Sequence, residues 1–271
     1  MKATNWLIYL LLIAVGSLSP LAFSPYEYWW LPVLQLGALL VAIEKCSELS
    51  AFKAGVAFGI GWFSSGLSWV HVSIDQFGGL PLVASMGLVL LLGVYLSLYI
   101  GLAAWLSNRF SYLVGGSRIL LFAPAWAISE WLRSWMFTGF PWLSVGYSQL
   151  ESPFASLLPI VGEYGTSVVF VLLLSCLAFL TVQRLSNVQT FLSLPVRGLT
   201  LATVIFAMVS QSISWVEPSE RKVNVALVQG NIAQENRWAP EKMWPTMLKY
   251  LDLSRPQYEQ ADIIIWPEAA V

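Results

Sequence analysis

Seven apolar stretches, at 6–23, 29–44, 54–72, 82–106, 119–137, 164–183 and 199–214, occupy most of the first 216 residues of this chain. Each approaches the length a helix needs to cross about 30 Å of hydrocarbon. A segment in lipid must satisfy its own backbone N–H and C=O groups, and the helix is the local way to do so. The second stretch, "WWLPVLQLGALLVAIE", is short and borrows its aromatic flank. Charge supports this reading: 11% of the residues are charged, against about a quarter in a soluble domain. The sequence therefore predicts a polytopic α-helical membrane domain of about seven spans, covering 1–216.

Orientation follows from the basic residues. With the N-terminus in the cytoplasm, Lys2, Lys45, Lys53, Arg109, Arg118, Arg184 and Arg197 all fall on cytoplasmic segments. The opposite loops, "SPYEY", "VSIDQFGGLP" and 138–163, contain no Lys or Arg, and this bias sets the N-terminus inside. An odd number of spans then places everything after 214 outside the cytoplasm. The first span does not read as a cleaved signal, because the small-residue site "AFS" is followed by Pro25 and more spans come after it. A net charge of −1 gives no reason to expect a nucleic-acid partner. One His, His71, and two Cys, Cys46 and Cys176, offer neither a metal-ligand spacing nor a disulfide framework.

From Glu217 onward the solvent changes. Fourteen of the last 55 residues are charged, nearly as many as in the 216 before them. "KVNVALVQGNI" (222–232) alternates and is rich in Val, as a strand is. Residues 240–260 open on Pro and an acid and place Met243, Met247, Leu248 and Leu251 at helical spacing, with Pro256 to end the run. "DIIIWP" (262–267) predicts a second strand, buried on both faces. Strand, helix, strand is the opening unit of an α/β domain, and 217–271 alone is too small for an independent core. A longer domain cut short is the expectation.

Glu268 follows Trp266-Pro267. Proline keeps Trp266 extended and removes a ladder donor, so pairing stops and the carboxylate stands at the carboxyl end of a strand. That is where α/β sheets place their sites, and a Glu there suits a general base. A loop carboxylate that caps whatever follows is the plainer alternative.

The segments "VALVQGNI", "RW" and "IIIWPEAAV" look like the start of a nitrilase-type amidase fold. Taken with "LAFSPYEYWWLP", "GLSWVHVSIDQFGGLP", "TGFPWLSVGYSQ" and "LLPIVGEYGTS", the chain resembles the apolipoprotein N-acyltransferase family over essentially its whole length. The resemblance implies a truncated nitrilase-like α/β domain after the membrane domain, facing the periplasm of a bacterial inner membrane. It implies a Glu–Lys–Cys triad in which the Glu is base for the Cys thiol and the Lys steadies the oxyanion. The thiolate takes an acyl chain from a glycerophospholipid, and the thioester acylates the α-amine of a diacylglyceryl-modified apolipoprotein cysteine. Glu268 matches the family's base, and Trp238 in "ENRWAPE" matches a Trp the family needs, as a substrate-site or a packing residue. No cofactor is implied. The family's Lys and Cys come after its Glu, so the 271-residue chain is expected to be inert alone. Neither Cys46, on the cytoplasmic side, nor Cys176, mid-span, substitutes for the nucleophile.

Within the spans, Glu130 and Arg133 share a helix face at (i, i+3) spacing. Charge at depth is costly, so the pair either presents Arg133 to a phospholipid headgroup or locks helices together. His71, Asp75 and Glu163 fall at outer ends of spans, where interfacial polar groups sit. Gly55, Gly59 and Gly66, with Ser64 and Ser65, suit close helix approach. The nearly uncharged outer loop 137–159 fits the membrane interface, where a lipid substrate would enter sideways. The rival of another class is a multi-span transporter or lipid-binding scaffold. Its weakness is the scarcity of polar groups at depth. A nitrilase of soluble type is weaker still, since amide hydrolysis has no use for seven spans.

Overall fold

The computed structural model describes residues 2–44, 47–187, 190–217, 219–233, 236 and 239–268. The chain divides into two compact units, Met1–Trp215 and Val216–Val271.

The first unit is helical: α1 (Lys2–Gly16), α2 (Leu31–Glu44), α3 (Glu48–Gly66), the short α4 (Val70–Gln76), α5 (Leu82–Arg109), α6 (Arg118–Trp135), α7 (Leu158–Ser186) and α8 (Ser193–Ser210). By length and composition three helices can cross a membrane: Leu82–Arg109, Pro153–Ser186 and Ser193–Ser210. Trp6–Ala22 and Leu31–Glu44 are apolar but shorter. Seven apolar stretches thus give three clear spanning helices among the described residues. α6 carries three charges, Arg118, Glu130 and Arg133, and α3 carries Glu48 and Lys53. The stretch at 54–72 is not one helix. α3 ends at Gly66, and the chain turns before α4, where the His71 ring and its own N–H both bond the Ser68 carbonyl.

Local chemistry explains several boundaries. Ser47 caps α3 by accepting from the N–H of Ser50, and Ser117 caps α6 by accepting from the N–H of Leu120. At one end of the bundle Arg118 donates to the Glu44 carbonyl at 2.5 Å, while the Glu44 carboxylate accepts from the N–H of Ile119 at 3.3 Å. A cation therefore sits at the C-terminus of α2 and an anion at the N-terminus of α6, as the helix dipoles favour.

α3 is the central helix and packs most extensively against α5 and α1. The approach to α5 depends on two glycines. A Cβ on Gly55 would lie 2.6 Å from the Ile100 carbonyl oxygen, and one on Gly59 would lie 2.7 Å from the Cα of Ser97. Small residues let helix backbones meet where lipid gives little hydrophobic drive for association. Around this pair the core is filled by Phe58, Trp62, Leu36, Phe122 and Phe170, all 2% exposed or less. Large apolar residues elsewhere are bare, among them Val83 at 84% and Leu91 at 64%. A helical unit with an outward apolar surface is suited to lipid.

The second unit contains β1 (Val225–Leu227), α9 (Pro240–Ser254) and β2 (Ile263–Ile265). The strands pair in parallel, Val225 with Ile263 and Leu227 with Ile265, and α9 lies between them in sequence. Parallel neighbours need such a crossover. The small core is Val228 and Tyr250, packed by Ile232, Ile264 and Trp266. Burial on both faces of the second strand is not observed: Ile263 and Ile265 are 49% and 48% exposed, and Ile264 is half-buried. A single layer covers the side of the sheet on which Ile264 lies, leaving the alternate residues bare.

Candidate functional site

In the second unit the placement of Glu268 is built from α9. Trp266, just past β2, stacks on Tyr250 with ring centroids 5.5 Å apart and donates its indole N–H to Ser254 Oγ at 2.8 Å. Ser254 Oγ in turn donates to the Tyr250 carbonyl at 2.7 Å. The N–H of Val228 bonds the Ile265 carbonyl at 3.0 Å, and the ladder then ends at Pro267. Glu268 follows in a turn, with its side chain exposed, at the carboxyl end of β2. A half-buried, doubly held Trp one residue before a proline fixes the exit direction of the strand. A carboxylate in that position can reach a proton on a neighbouring group. Trp238 and Cys46 lie outside the described residues.

In the helical unit, Glu130 and Arg133 form the centre of a polar cluster, 6% and 5% exposed. The Arg133 guanidinium donates to Glu130 Oε1 at 3.3 Å and to the carbonyls of Phe140 and Trp142 at 2.5 and 2.9 Å. It also lies over the Phe63 ring, 5.5 Å from the centroid. Glu130 accepts from Ser144 at 2.6 Å on Oε1, and from Ser167 at 2.5 Å and Trp126 at 3.1 Å on Oε2. The carboxylate therefore has both oxygens occupied twice, as a buried charge requires.

This cluster ties α6 to α7 through Ser167 and to the loop between those helices through Ser144, Phe140 and Trp142. The loop returns over α3. Leu143 sits at φ 60°, its carbonyl accepts from the Trp62 indole at 3.1 Å, and a Cβ on Gly66 would run into its side chain. Gln149 fixes the far side by donating to the Trp29 carbonyl at 3.1 Å. Beside the ion pair a narrow cleft of about 20 Å³ is lined by Trp62, Tyr99, Trp126, Ser129 and Leu143 among others. That is room for one water. The hydroxyl of Ser129, 3% exposed, has no protein partner, nor has Glu163 Oε1.

Of the residues singled out in the sequence, Glu130 and Arg133 come together as one pair. Glu268 belongs to the other unit. His71 is half-buried in the first turn of α4, and Cys176 is a free, buried thiol on α7. The sequence reading missed Trp126, Ser144 and Ser167. Trp126 lies four residues before Glu130 on the same face, which helical periodicity could have shown. Ser144 and Ser167 reach the pair from a loop and another helix, and no periodicity signals them. Among the described residues no group of His, Cys, Asp and Glu has the makings of a metal site.

Residues 15–177 match the family model of the apolipoprotein N-acyltransferase N-terminal domain. The chain is 40% identical over 261 residues to the apolipoprotein N-acyltransferase of Shewanella oneidensis, covering 95% of this chain and 48% of the relative. It is 44% identical over 259 residues to that of Vibrio cholerae, covering 95% and 50%. With that of Methylococcus capsulatus it shares 36% identity over 268 residues, covering 97% and 51%. The chain spans about half the length of these curated relatives.

Proposed function

The chain belongs to the apolipoprotein N-acyltransferase family, and from that premise we propose that it forms the membrane domain and the first strand-helix-strand of a nitrilase-like catalytic domain. The membrane part makes about seven passes over 1–216 of a bacterial inner membrane, with its N-terminus in the cytoplasm, and 217–271 opens the periplasmic domain. The reaction moves an acyl chain from a glycerophospholipid to the N-terminal diacylglyceryl-cysteine of an apolipoprotein. Glu268 takes the proton of a Cys thiol, and the thiolate adds to the ester carbonyl of the lipid. A Lys holds the oxyanion while the lysolipid leaves, and the α-amine of the lipoprotein then displaces the thiolate. The Lys and Cys are the two groups that the family resemblance orders after Glu268. Trp238 contributes to the substrate site. Arg133 serves the lipid through the outer loop, whose Phe140 and Trp142 carbonyls it holds.

The observation that carries this reading is the Trp266-Pro267-Glu268 exit from a parallel strand, its Trp fixed by Tyr250 and Ser254. The test uses the full-length protein with Glu268→Gln and a diacylglyceryl lipopeptide as acceptor. Loss of a general base should lower N-acylation by about 10²–10⁴-fold with membrane insertion unchanged. Undiminished turnover in that variant would refute the assignment.

A further inference from the structure

Beyond the acyl-transfer chemistry, we propose that the helical unit, where α7 ends and α8 begins, holds an anionic glycerophospholipid, with Arg184 and Arg197 on its phosphodiester. The proposal rests on the membrane reading above and not on the acyl-transfer chemistry. A cavity of about 550 Å³ lies where α7 ends and α8 begins, lined by Leu180, Gln183, Arg184, Asn187 and Arg197.

Charge is the first argument. Both arginines are exposed, and neither has an ion pair among the described residues. Arg184 is in the last turn of α7, where a cation complements the helix dipole. Arg197 has no such reason to be where it is. It lies near the N-terminal end of α8, where the dipole disfavours a cation and the first turn has no acid to offset it. Two like charges converging on one cavity repel unless an anion lies between them, and guanidinium suits a phosphate in geometry as well as charge.

The second argument is the shape of the ligand these helices describe. From Arg197, the same face of α8 continues through Leu201 and Ile205, 60% and 49% exposed, at one-turn intervals. On α7, Leu180 lies one turn from Arg184 along the same face. Each helix therefore offers a cation at the end and apolar surface deeper in, matching a headgroup followed by acyl chains. At the end of α7, before α8 and at its start, Leu185, Phe191 and Leu194 are 80%, 81% and 78% exposed, which places the arginines at headgroup level. The polar wall is set in place: Gln183 donates to Thr190 Oγ1 and accepts from Ser193 Oγ, both at 2.7 Å. Basic pockets between membrane helices on the cytoplasmic side are known receptors for acidic headgroups.

The test weighs the intact protein by native mass spectrometry after extraction from bilayers of equal phosphatidylglycerol and phosphatidylcholine. Phosphatidylglycerol adducts should exceed phosphatidylcholine adducts on the order of thirty-fold, the product of two arginine–headgroup contacts. Arg184→Gln with Arg197→Gln should bring the ratio close to one, with the unfolding midpoint in neutral detergent unchanged. An unchanged ratio in the double variant would overturn the site, as would equal adducts in the wild type. Displacement of the lipid by an equal concentration of glycerol phosphate would make this a free-phosphate site and overturn the lipid assignment. A Phe191→Cys probe, with Cys46→Ser and Cys176→Ser, separates the premises. Labelling at position 191 by an impermeant thiol reagent from outside intact cells, above that of the Cys46→Ser, Cys176→Ser protein without the probe, would overturn the proposed topology, whereas the adduct ratio judges the lipid site alone.

Discussion

The two units bury their charged and aromatic groups in different ways. In Met1–Trp215 an ion pair is enclosed by a loop and two helices, with both carboxylate oxygens of Glu130 occupied and the arginine on two carbonyls. In Val216–Val271 one Trp rests on one Tyr and one Ser, and the core has two buried hydrophobic residues among those described. The helical unit is over-determined, whereas the α/β unit has one face of its sheet covered and the other bare. Order in the first is distributed over many partners. In the second it passes through a single side chain.

Substitutions can test that contrast, with each unit followed separately by amide hydrogen exchange. The largest effect is expected for Arg133→Ala, which leaves Glu130 buried without its cation. About 3–5 kcal/mol of helical-unit stability should be lost, measured by unfolding in mixed micelles. If protection falls in the α/β unit instead, the contrast fails. Next is Gly59→Leu, which drives a side chain into the backbone at Ser97. A loss of about 3 kcal/mol, at the upper end of overpacking, should appear as exchange in α3 and α5. Trp266→Ala should cost the α/β unit about 2 kcal/mol, less than a fully buried Trp because the ring is half-exposed. Exchange in β1, β2 and α9 should rise together and that in α6 should not. Ser254→Ala removes the hydroxyl that accepts the indole N–H and should cost about 1 kcal/mol. Arg255→Gln breaks an exposed pair with Asp252 at 3.0 Å and should change stability by less than about 0.5 kcal/mol.

The helices were legible where composition alone decides. The apolar runs at 82–106, 164–183 and 199–214 each fall within or largely overlap a helix long and apolar enough to cross a membrane. Where neighbours decide, the reading weakened. The run at 54–72 looked continuous, yet α3 ends at Gly66, onto which Leu143 packs from 77 residues away. "DIIIWP" announced a strand and its end, and both are there. Its triple isoleucine also implied cover on both faces, but cover belongs to whatever packs against a strand and is not written in the strand. For the polar cluster, the spacing of Glu130 and Arg133 was visible, whereas the serines that complete it are set only by tertiary structure. The place of Glu268 just past the end of β2 was readable from Pro267, a purely local signal.

The pairing of Glu130 with Arg133 inside one helix bears on the order in which this protein can be made. Two lone charges entering a bilayer would each meet a barrier of about 2.5–3.5 kcal/mol at mid-depth. Because the partners are three residues apart on α6, they neutralise one another as soon as that helix has wound, before Ser144 and Ser167 have left the ribosome. The helix can therefore form with its charges already paired, and the later serines convert a temporary truce into a lock. Moving the arginine to α7 would leave the nascent chain holding an orphan carboxylate for the time it takes to synthesise some 30 residues, about 2–6 s.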